Sequence, residues 1–541
     1  MFSGNSLYGK YINIVVLVIR YSVGVLDIPG EIIILENARV MGSYAENCVV
    51  IEGERIIHVG REESCRKYSG RASRILDLKN SVIIPGLVDA HLHLSWLALG
   101  MDWLDLRGTK SISEIVEAVR LRATRTKKGE WIIGRGWDHE LFHEKRLPTR
   151  WDIDEASPNN PVFLIRVCGH VGVANSMALK NINIEEYLEE YKGLIDIGED
   201  GSPTGILYED ALHVVYDKLP KPSIEELADK LRRVLLLLAS YGLTTVHSMN
   251  ASLEEFHALR LLEEKKQLPI RVRLFLSREA YERVDEKLLA EYKDNPMLSV
   301  KGVKVFMDGS FGARTAALKE PYSDDELNRG KLLMSANDIV SLALELKRKG
   351  LILAIHAIGD RALEEVIKAL STINPDNIRI EHASLTPTPI IDNLALHKPL
   401  AIVVQPHFTI SDWWIGQRLG DRARFVYAFK SLMSKGLVLA GSSDAPVEPV
   451  NPWLSIAAAM HRGRLSNITP NERLSISRAL SMYTIGGAIA GRDEGGIGLI
   501  KRGYFADLIV LDENPWSLSE YDIAGIRPKL VVVGGRIIYE Y

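Results

Sequence analysis

The chain has 541 residues, of which 46% are hydrophobic and 25% are charged, and its formal net charge is −4. A chain of this length exceeds a single hydrophobic core, so we expect several domains or one large barrel with attachments. The sequence has no excess of basic residues, so we exclude nucleic acid as a partner. It also has no acidic tail that would indicate a charged partner.

Residues 1–30 are interpreted as a poorly specified N-terminal extension. Their apolar run, IVVLVI at residues 14–19, is closed by Arg20 and is shorter than the roughly 20 residues that a bilayer span requires. We therefore expect no stable membrane insertion. The three cysteines have no CxxC spacing, which indicates neither a disulfide framework nor a thiolate zinc site and favours a cytoplasmic location.

Two β-rich segments lie on either side of the middle of the chain. Residues 31–84 contain short runs of isoleucine, valine and leucine broken by turn residues, as in EIIILENARVM and CVVIEGERIIHVG. Residues 490–541 have the same pattern, as in GYFADLIVLDENPW and KLVVVGGRIIYEY. Runs of this kind are typical of antiparallel sheets.

The middle of the chain, residues 85–489, alternates apolar strands with amphipathic helices. The helix at 222–242, for example, opens with a capping box formed by Ser223 and Glu226 and is followed directly by the strand LTTVHSM. With PGLVDAHLHL as the first strand, eight such units can be traced, which predicts an α/β fold with a (β/α)8 TIM barrel. Residues from about 100 to 225 lie between the first and second barrel strands and belong to none of the eight units. We expect them to form a largely helical insertion over the mouth of the barrel.

Metal-binding residue types recur at the ends of the predicted barrel strands. His91 and His93 in VDAHLHL point to the same side, because side chains alternate along a strand. Active sites of such barrels lie at the C-terminal ends of the strands, and four more polar residues occur there: Lys304, His356, His382 and Asp444. A cluster of this composition predicts a metal centre rather than isolated buried histidines.

Lys304 cannot bind a cation as an ammonium group. Beside metals, a buried amine loses its proton readily, and the neutral amine can add carbon dioxide to become a carbamate with two oxygen ligands. The alternative is a lysine that forms a salt bridge across the barrel.

Five motifs resemble those of the amidohydrolase superfamily: PGLVDAHLHL, KVFMDGSFGARTAAL, HAIGDRA, IEHA and GSSDAPV. Within it, the chain looks like the YtcJ-like, or amidohydrolase 3, group. The resemblance extends from about residue 31 to the end of the chain. It implies that residues 31–84 and 490–541 together form a composite β-sandwich domain beside the barrel.

The resemblance also implies roles for the residues of the cluster. The two histidines of VDAHLHL would hold one metal, and His356 and His382 would hold a second, with the Lys304 carbamate as a bridge. Asp444 would ligate the first metal and shuttle the catalytic proton. One or two divalent ions are compatible with this set, and zinc is the expected ion for imidazole and carboxylate ligands.

These assignments predict hydrolysis of a non-peptide C–N bond in a small molecule, such as an amide, an N-substituted formamide or a cyclic amide, by a metal-activated hydroxide. Two alternatives stay open. The same metal site could serve deamination or hydrolysis of a C–O or P–O bond, because one fold hosts many reactions. The other alternative is a non-catalytic regulatory or assembly protein, which we would expect to have lost metal ligands.

Four residues are weaker candidates for substrate binding. Arg314, after the fourth barrel strand, suits a planar carboxylate or carbonyl, or else forms a salt bridge within its loop. Trp137, Asp138 and His170 lie in the insertion, where they line the pocket or belong to the core or surface of the insertion. The oligomeric state is open, with a homodimer as the commonest arrangement among oligomers.

Overall fold

The computed structural model describes residues 31–43, 45–167, 169 and 171–541. The interpretation of residues 1–30 as an extension therefore lies outside the described residues. These form two compact units, of which residues 101–222 are one and residues 31–100 with 223–541 are the other. Among the described residues, no helix is long and apolar enough to cross a membrane.

Short β-strands occur in both units, where the sequence has runs of β-branched residues and leucine. In chain order the strands are β1 (Ile32–Glu36), β2 (Arg39–Val40), β3 (Cys48–Glu52), β4 (Arg55–Gly60), β5 (Arg74–Asp77), β6 (Val82–Pro85), β7 (Leu87–Leu92), β8 (Leu104–Asp105), β9 (Ile132–Trp137), β10 (Val162–Arg166), β11 (Val171–Ala174), β12 (Ile195–Ile197), β13 (Pro203–Tyr208), β14 (Leu243–Ala251), β15 (Arg271–Ser277), β16 (Leu298–Phe306), β17 (Ile352–Ala357), β18 (Ile378–His382), β19 (Ala401–Val404), β20 (Leu439–Gly441), β21 (Leu508–Leu511), β22 (Leu530–Val533) and β23 (Arg536–Glu540).

The α-helices follow the amphipathic segments of the sequence. In α7 the Ser223 hydroxyl accepts from the Glu226 amide at 3.1 Å and the Glu226 carboxylate accepts from the Ser223 amide at 2.8 Å, which confirms the predicted capping box. In chain order the helices are α1 (Glu62–Cys65), α2 (Leu94–Gly100), α3 (Ile112–Ala123), α4 (Arg150–Asp154), α5 (Ser176–Ile182), α6 (Leu212–Tyr216), α7 (Ile224–Ser240), α8 (Leu253–Glu264), α9 (Arg278–Arg283), α10 (Glu286–Glu291), α11 (Ala336–Arg348), α12 (Asp360–Leu370), α13 (Thr388–His397), α14 (Phe408–Ser411), α15 (Ile415–Leu419), α16 (Phe429–Ser434), α17 (Pro452–His461), α18 (Ile476–Ser481) and α19 (Gly487–Ala490).

Eight parallel strands within the described part of the chain form a barrel, in the order β7, β14, β15, β16, β17, β18, β19, β20. Neighbouring strands pair in parallel register, with Lys304 opposite Ala354 and Ala357 opposite His382, for example. The segment that follows β20 lies beside β7, where the Asp444 amide donates a hydrogen bond to the His91 carbonyl at 2.7 Å. The predicted α/β fold with a TIM barrel is confirmed.

Both ends of the described chain contribute to a β-sandwich. One sheet has the order β4, β3, β1, β5, and the other has the order β2, β6, β21, β22, β23. The C-terminal strand β21 pairs antiparallel with β6, which places Ile509 opposite Ile84. Buried side chains from the two sheets, such as Ile33, Val49 and Val532, form one apolar core. The composite sandwich that the resemblance implied is therefore confirmed.

Residues 101–222 contain a mixed sheet, in the order β12, β13, β11, β10, β9, β8, together with helices α3 to α6. The expectation of a largely helical insertion is wrong. The strands are short and two of them contain glycine, as in IIGRGW (β9) and PTGILY (β13), so their apolar alternation is too brief to stand out in the sequence. The placement of this unit over the barrel mouth stays a prediction.

Cys48 on β3 and Cys65 at the end of α1 form a disulfide. Both side chains are buried beneath the first sheet of the sandwich. The expectation that the cysteines do not pair is wrong, because pairing depends on the distance between residues in space, which their spacing of 17 residues does not reveal. The expected cytoplasmic location loses the support of unpaired cysteines.

A buried ion pair joins the barrel to the sandwich. Arg271 begins β15, Asp507 immediately precedes β21, and their side chains are 0% and 2% exposed. The guanidinium donates two hydrogen bonds to the carboxylate, at 2.7 Å and 3.0 Å, and the same carboxylate also accepts from the Gly534 amide at 2.8 Å. The pair therefore has the bidentate geometry that a buried charge requires.

Replacing Asp507 with Asn leaves the buried guanidinium of Arg271 without its counter-charge. We expect the free energy of unfolding, measured by urea denaturation, to fall by about 3–5 kcal/mol. The matched control is Glu282→Gln, which removes the partner of Arg278 in an exposed helical pair and should cost about 0–1 kcal/mol. Equal losses in the two variants would contradict a structural role for the buried pair.

Candidate metal centre

The six predicted ligands lie at one rim of the barrel, because the C-terminal ends of parallel strands meet there. The side chains are buried, apart from that of His93, which is 22% exposed. Their positions are at or just beyond the strand ends, with His91 and His93 at β7, Lys304 on β16, His356 on β17, His382 at the end of β18 and Asp444 after β20.

His91, His93 and Asp444 are the group within the described residues whose ligand atoms are close enough to share a metal ion, with all of them within 4.8 Å of one another. The Oδ1 atom of Asp444 lies 3.3 Å from Nε2 of His91 and 3.2 Å from Nε2 of His93. Asp444 has a left-handed backbone with φ of 57°, a conformation that is uncommon outside glycine and recurs at functional sites.

Hydrogen-bond acceptors lie on the side of the two imidazoles that faces away from Asp444. Nδ1 of His91 is 2.6 Å from Oε2 of Glu381, and it carries the proton because an ionised carboxylate can only accept. Nδ1 of His93 faces the carbonyl oxygen of Met249 at 3.2 Å. With the proton on each Nδ1, the Nε2 atoms are the ligand atoms that face the Asp444 carboxyl group. Three electron-rich atoms that converge without a hydrogen between them fit a cation.

His356 and His382 form the second part of the cluster, with ring centroids 4.4 Å apart. Each commits one nitrogen to an acceptor: Nδ1 of His382 donates to Oε1 of Gln405 at 2.7 Å, and Nε2 of His356 donates to the Gly309 carbonyl at 3.0 Å. Burial lowers the pKa of His356 to about 3 and that of His382 well below its ordinary value. Both rings are therefore neutral at pH 7, the state in which imidazole binds a metal.

Lys304 is buried, and its Nζ has no hydrogen-bond partner among the described residues. The alternative of a salt bridge across the barrel is not observed in that part of the chain. Burial lowers the pKa of the amine to about 8, which increases the neutral fraction at physiological pH. An unpartnered buried amine on the strand beside that of His356 fits the carbamate expected at this position.

Asp89 fixes the backbone of the site rather than an imidazole ring. Its Oδ1 accepts from the amides of His91 and Ser443, both at 3.1 Å, and so connects β7 to the segment that carries Asp444. Burial raises the pKa of Asp89 to about 7.

The described candidates for substrate binding have structural partners. Arg314 forms a salt bridge with Asp324 at 3.0 Å, which is the loop ion pair named as its alternative. Trp137 is fully buried in the apolar core of the insertion, and the Asp138 carboxylate accepts from Arg166 at 2.6 Å. His170 lies outside the described residues, so its assignment stays a prediction, as does a substrate contact by the other three.

Sequence reasoning missed the residues that hold the imidazoles in place. Glu381 and Gln405 accept from His91 and His382, and Arg379 in turn binds Glu381 at 2.6 Å. A signal was available for two of them. The strand IRIEH places Arg379 and Glu381 on one side of a buried barrel strand, where charged residues need partners.

The model of the Amidohydrolase family matches residues 74–539 of the chain. The chain belongs to this family. The resemblance that the five motifs indicated is therefore confirmed.

Three similar proteins cover almost the whole chain. YtcJ of Bacillus subtilis (strain 168) is 32% identical over 491 residues, which are 88% of this chain and 92% of that protein. An N-substituted formamide deformylase of Arthrobacter pascens is 26% identical over 542 residues, 93% of this chain and 97% of that protein. The crystal structure of an uncharacterised metal-dependent hydrolase from Pyrococcus horikoshii OT3 is 33% identical with a TM-score of 0.78, and covers 91% of this chain and 99% of that one. Together these findings support a metal-dependent hydrolase.

Replacing His93 with Ala removes one of the three converging ligand atoms. We expect the variant to retain much less zinc than the wild type after dialysis against a chelator, measured as zinc per chain by plasma mass spectrometry. The matched control is His461→Ala, which removes a half-buried histidine that stacks on Tyr521 outside the cluster. Equal retention of zinc by the two variants would contradict the assignment of His93.

Proposed function

We propose that this chain is a metal-dependent amidohydrolase that cleaves a non-peptide C–N bond in a small molecule. The observation that carries the proposal is the convergence of Nε2 of His91, Nε2 of His93 and Oδ1 of Asp444 at the barrel rim. The likeness to a protein named for the deformylation of N-substituted formamides supports amides and formamides as the substrate class.

His91, His93 and Asp444 would hold one divalent ion, with zinc preferred by this donor set. His356 and His382 each have a nitrogen left for a second ion. A bound divalent ion supplies Lewis acidity, which makes water more acidic and polarises a carbonyl oxygen.

Asp444 is the group that we propose moves the proton. Its side chain is 10% exposed, whereas the Glu381 side chain behind His91 is fully buried. Asp444 takes the proton of the attacking water while the new C–O bond forms at the carbonyl carbon. It then gives that proton to the nitrogen as the C–N bond breaks, so an amine and a carboxylic acid are released.

Lys304 contributes through its amine. The neutral Nζ adds carbon dioxide to form a carbamate and releases one proton, which converts an unpartnered buried amine into an anion with two oxygen ligands. This group would bridge the two ions.

Aromatic side chains at the rim support a substrate with an apolar substituent. Trp96 is 61% exposed with its ring 5.8 Å from that of His93, and Phe306 is 36% exposed with its ring 5.4 Å from that of His356. Exposed aromatic surface beside reactive groups is typical of small-molecule sites. Cytoplasmic location and a homodimer stay predictions.

The variant Asp444→Asn keeps the shape of the side chain and removes its capacity to take a proton. We expect kcat for the best substrate in a panel of N-substituted formamides, N-acyl amines and cyclic amides to fall by about 100- to 10,000-fold at saturating zinc. Amine, ammonia and alcohol products are measured separately, so that C–N hydrolysis, deamination and ester cleavage are distinguished. Unchanged turnover in the variant would contradict the proton-transfer role.

Replacing Lys304 with Ala removes the carbamate. In wild-type protein kept in 13C-labelled bicarbonate, we expect a carbamate carbon signal by NMR and about two metal ions per chain, because the carbamate oxygens bind both. In the variant the signal should disappear and the metal content should fall. A wild-type protein without the signal, or a variant with unchanged metal content, would contradict the bridging role.

A further inference from the structure

A carboxylate lies directly behind one of the predicted metal ligands. Glu381 is on β18, its side chain is 0% exposed, and its Oε2 accepts from Nδ1 of His91 at 2.6 Å. The other rim histidines hydrogen-bond to neutral oxygen atoms of the Met249 carbonyl, the Gly309 carbonyl and the Gln405 amide. The Asp308 carboxylate lies 3.6 Å from Nε2 of His356, so within the described residues His91 is the rim imidazole with a carboxylate at hydrogen-bond distance behind the ring.

Glu381 is fixed on both of its oxygens. Nε of Arg379 donates to Oε1 at 2.6 Å and its Nη2 donates to Oε2 at 3.0 Å. The same guanidinium also donates to the carbonyls of Ala90 at 2.6 Å and Ala490 at 3.1 Å, and it lies 3.0 Å from Nδ1 of His247. The carboxylate therefore cannot rotate away from His91 without breaking an ion pair that is fully buried.

A contribution to stability does not by itself explain the presence of a buried ion pair between Arg379 and Glu381. Replacement of a buried ion pair by apolar residues of similar volume is often neutral or stabilising, because each ion must first be removed from water. An apolar replacement cannot accept a hydrogen bond from an imidazole. A carboxylate acceptor fixes which nitrogen carries the proton and makes the opposite nitrogen a stronger metal ligand.

We propose that Glu381, held by Arg379, is a positioning residue that keeps the proton of His91 on Nδ1 and thereby makes Nε2 of His91 the strongest imidazole ligand of the metal centre. This inference rests on the proposed function. It predicts that the ion held by His91, His93 and Asp444 binds more tightly than the ion held by His356 and His382.

The test compares two double variants that both lack the ion pair. Arg379→Met with Glu381→Met removes every acceptor behind His91, whereas Arg379→Met with Glu381→Gln returns an amide oxygen to it. The matched control is Arg271→Met with Asp507→Met, which removes a buried bidentate pair at the join of the barrel and the sandwich. Zinc dissociation constants are measured by chelator competition on metal-free protein, together with urea denaturation.

We expect the Met–Met variant at 379 and 381 to bind the tighter zinc ion about 10- to 100-fold more weakly than the wild type. The Met–Gln variant should recover part of that loss, and the control should bind zinc as the wild type does. Affinity equal to wild type in the Met–Met variant, or an equal loss in the control, would overturn the proposal.

A second measurement on unmodified protein covers the case in which the double variants fail to fold. In the metal-free wild type, 15N NMR of labelled histidines, assigned with His91→Gln, should show His91 protonated on Nδ1. Protonation on Nε2 would overturn the proposal without bearing on the metal centre itself. A wild-type protein that binds no zinc would overturn both this inference and the proposed function.

Discussion

The convergence of three ligand atoms on one point is the constraint on which the rim of the barrel depends. The Nε2 atoms of His91 and His93 approach one oxygen of Asp444, while the imidazole protons are directed to acceptors behind the rings. Such an arrangement is costly when buried unless positive charge lies between the atoms. The backbone hydrogen bond from Asp444 to His91 that brings the atoms together also closes the barrel, so the same contact serves the fold and the site.

Burial shifts the pKa values of several side chains at this site so that their neutral forms are favoured. It lowers the pKa of His356 to about 3 and that of Lys304 to about 8, and it raises the pKa of Asp89 to about 7. Neutral imidazoles and a neutral amine that can be carboxylated are the states in which these side chains serve a divalent ion. Behind His91, the buried ion pair of Arg379 and Glu381 fixes the imidazole through the hydrogen bond to Glu381.

The sequence predicts this site well where periodicity determines the answer. Two histidines at i and i+2 share a strand face, and parallel strands bring Lys304, His356 and His382 to the same rim without knowledge of any distance. The strands of the barrel are predictable because they are buried on both faces, which gives each of them a nearly continuous apolar sequence.

Features that depend on distance in space were not predictable from the pattern. The hydrogen bond from His91 to Glu381 spans 290 residues, and the disulfide of Cys48 and Cys65 joins residues whose spacing carries no signal. The sheet of the insertion was missed because its strands are short and broken by glycine. Arg314 suited a substrate by its chemistry, but a carboxylate in its own region of the fold binds the guanidinium.

The most direct test of the account is a titration of metal-free protein with zinc, in which bound zinc and the rate of amine release from an N-substituted formamide are followed in the same samples. If the rim cluster is the metal centre of an amidohydrolase, the stripped protein is inactive and the rate rises in proportion to the zinc bound at the tighter site. Full activity in protein shown to be free of metal, or zinc uptake without amine release from any amide or formamide tested, would contradict it.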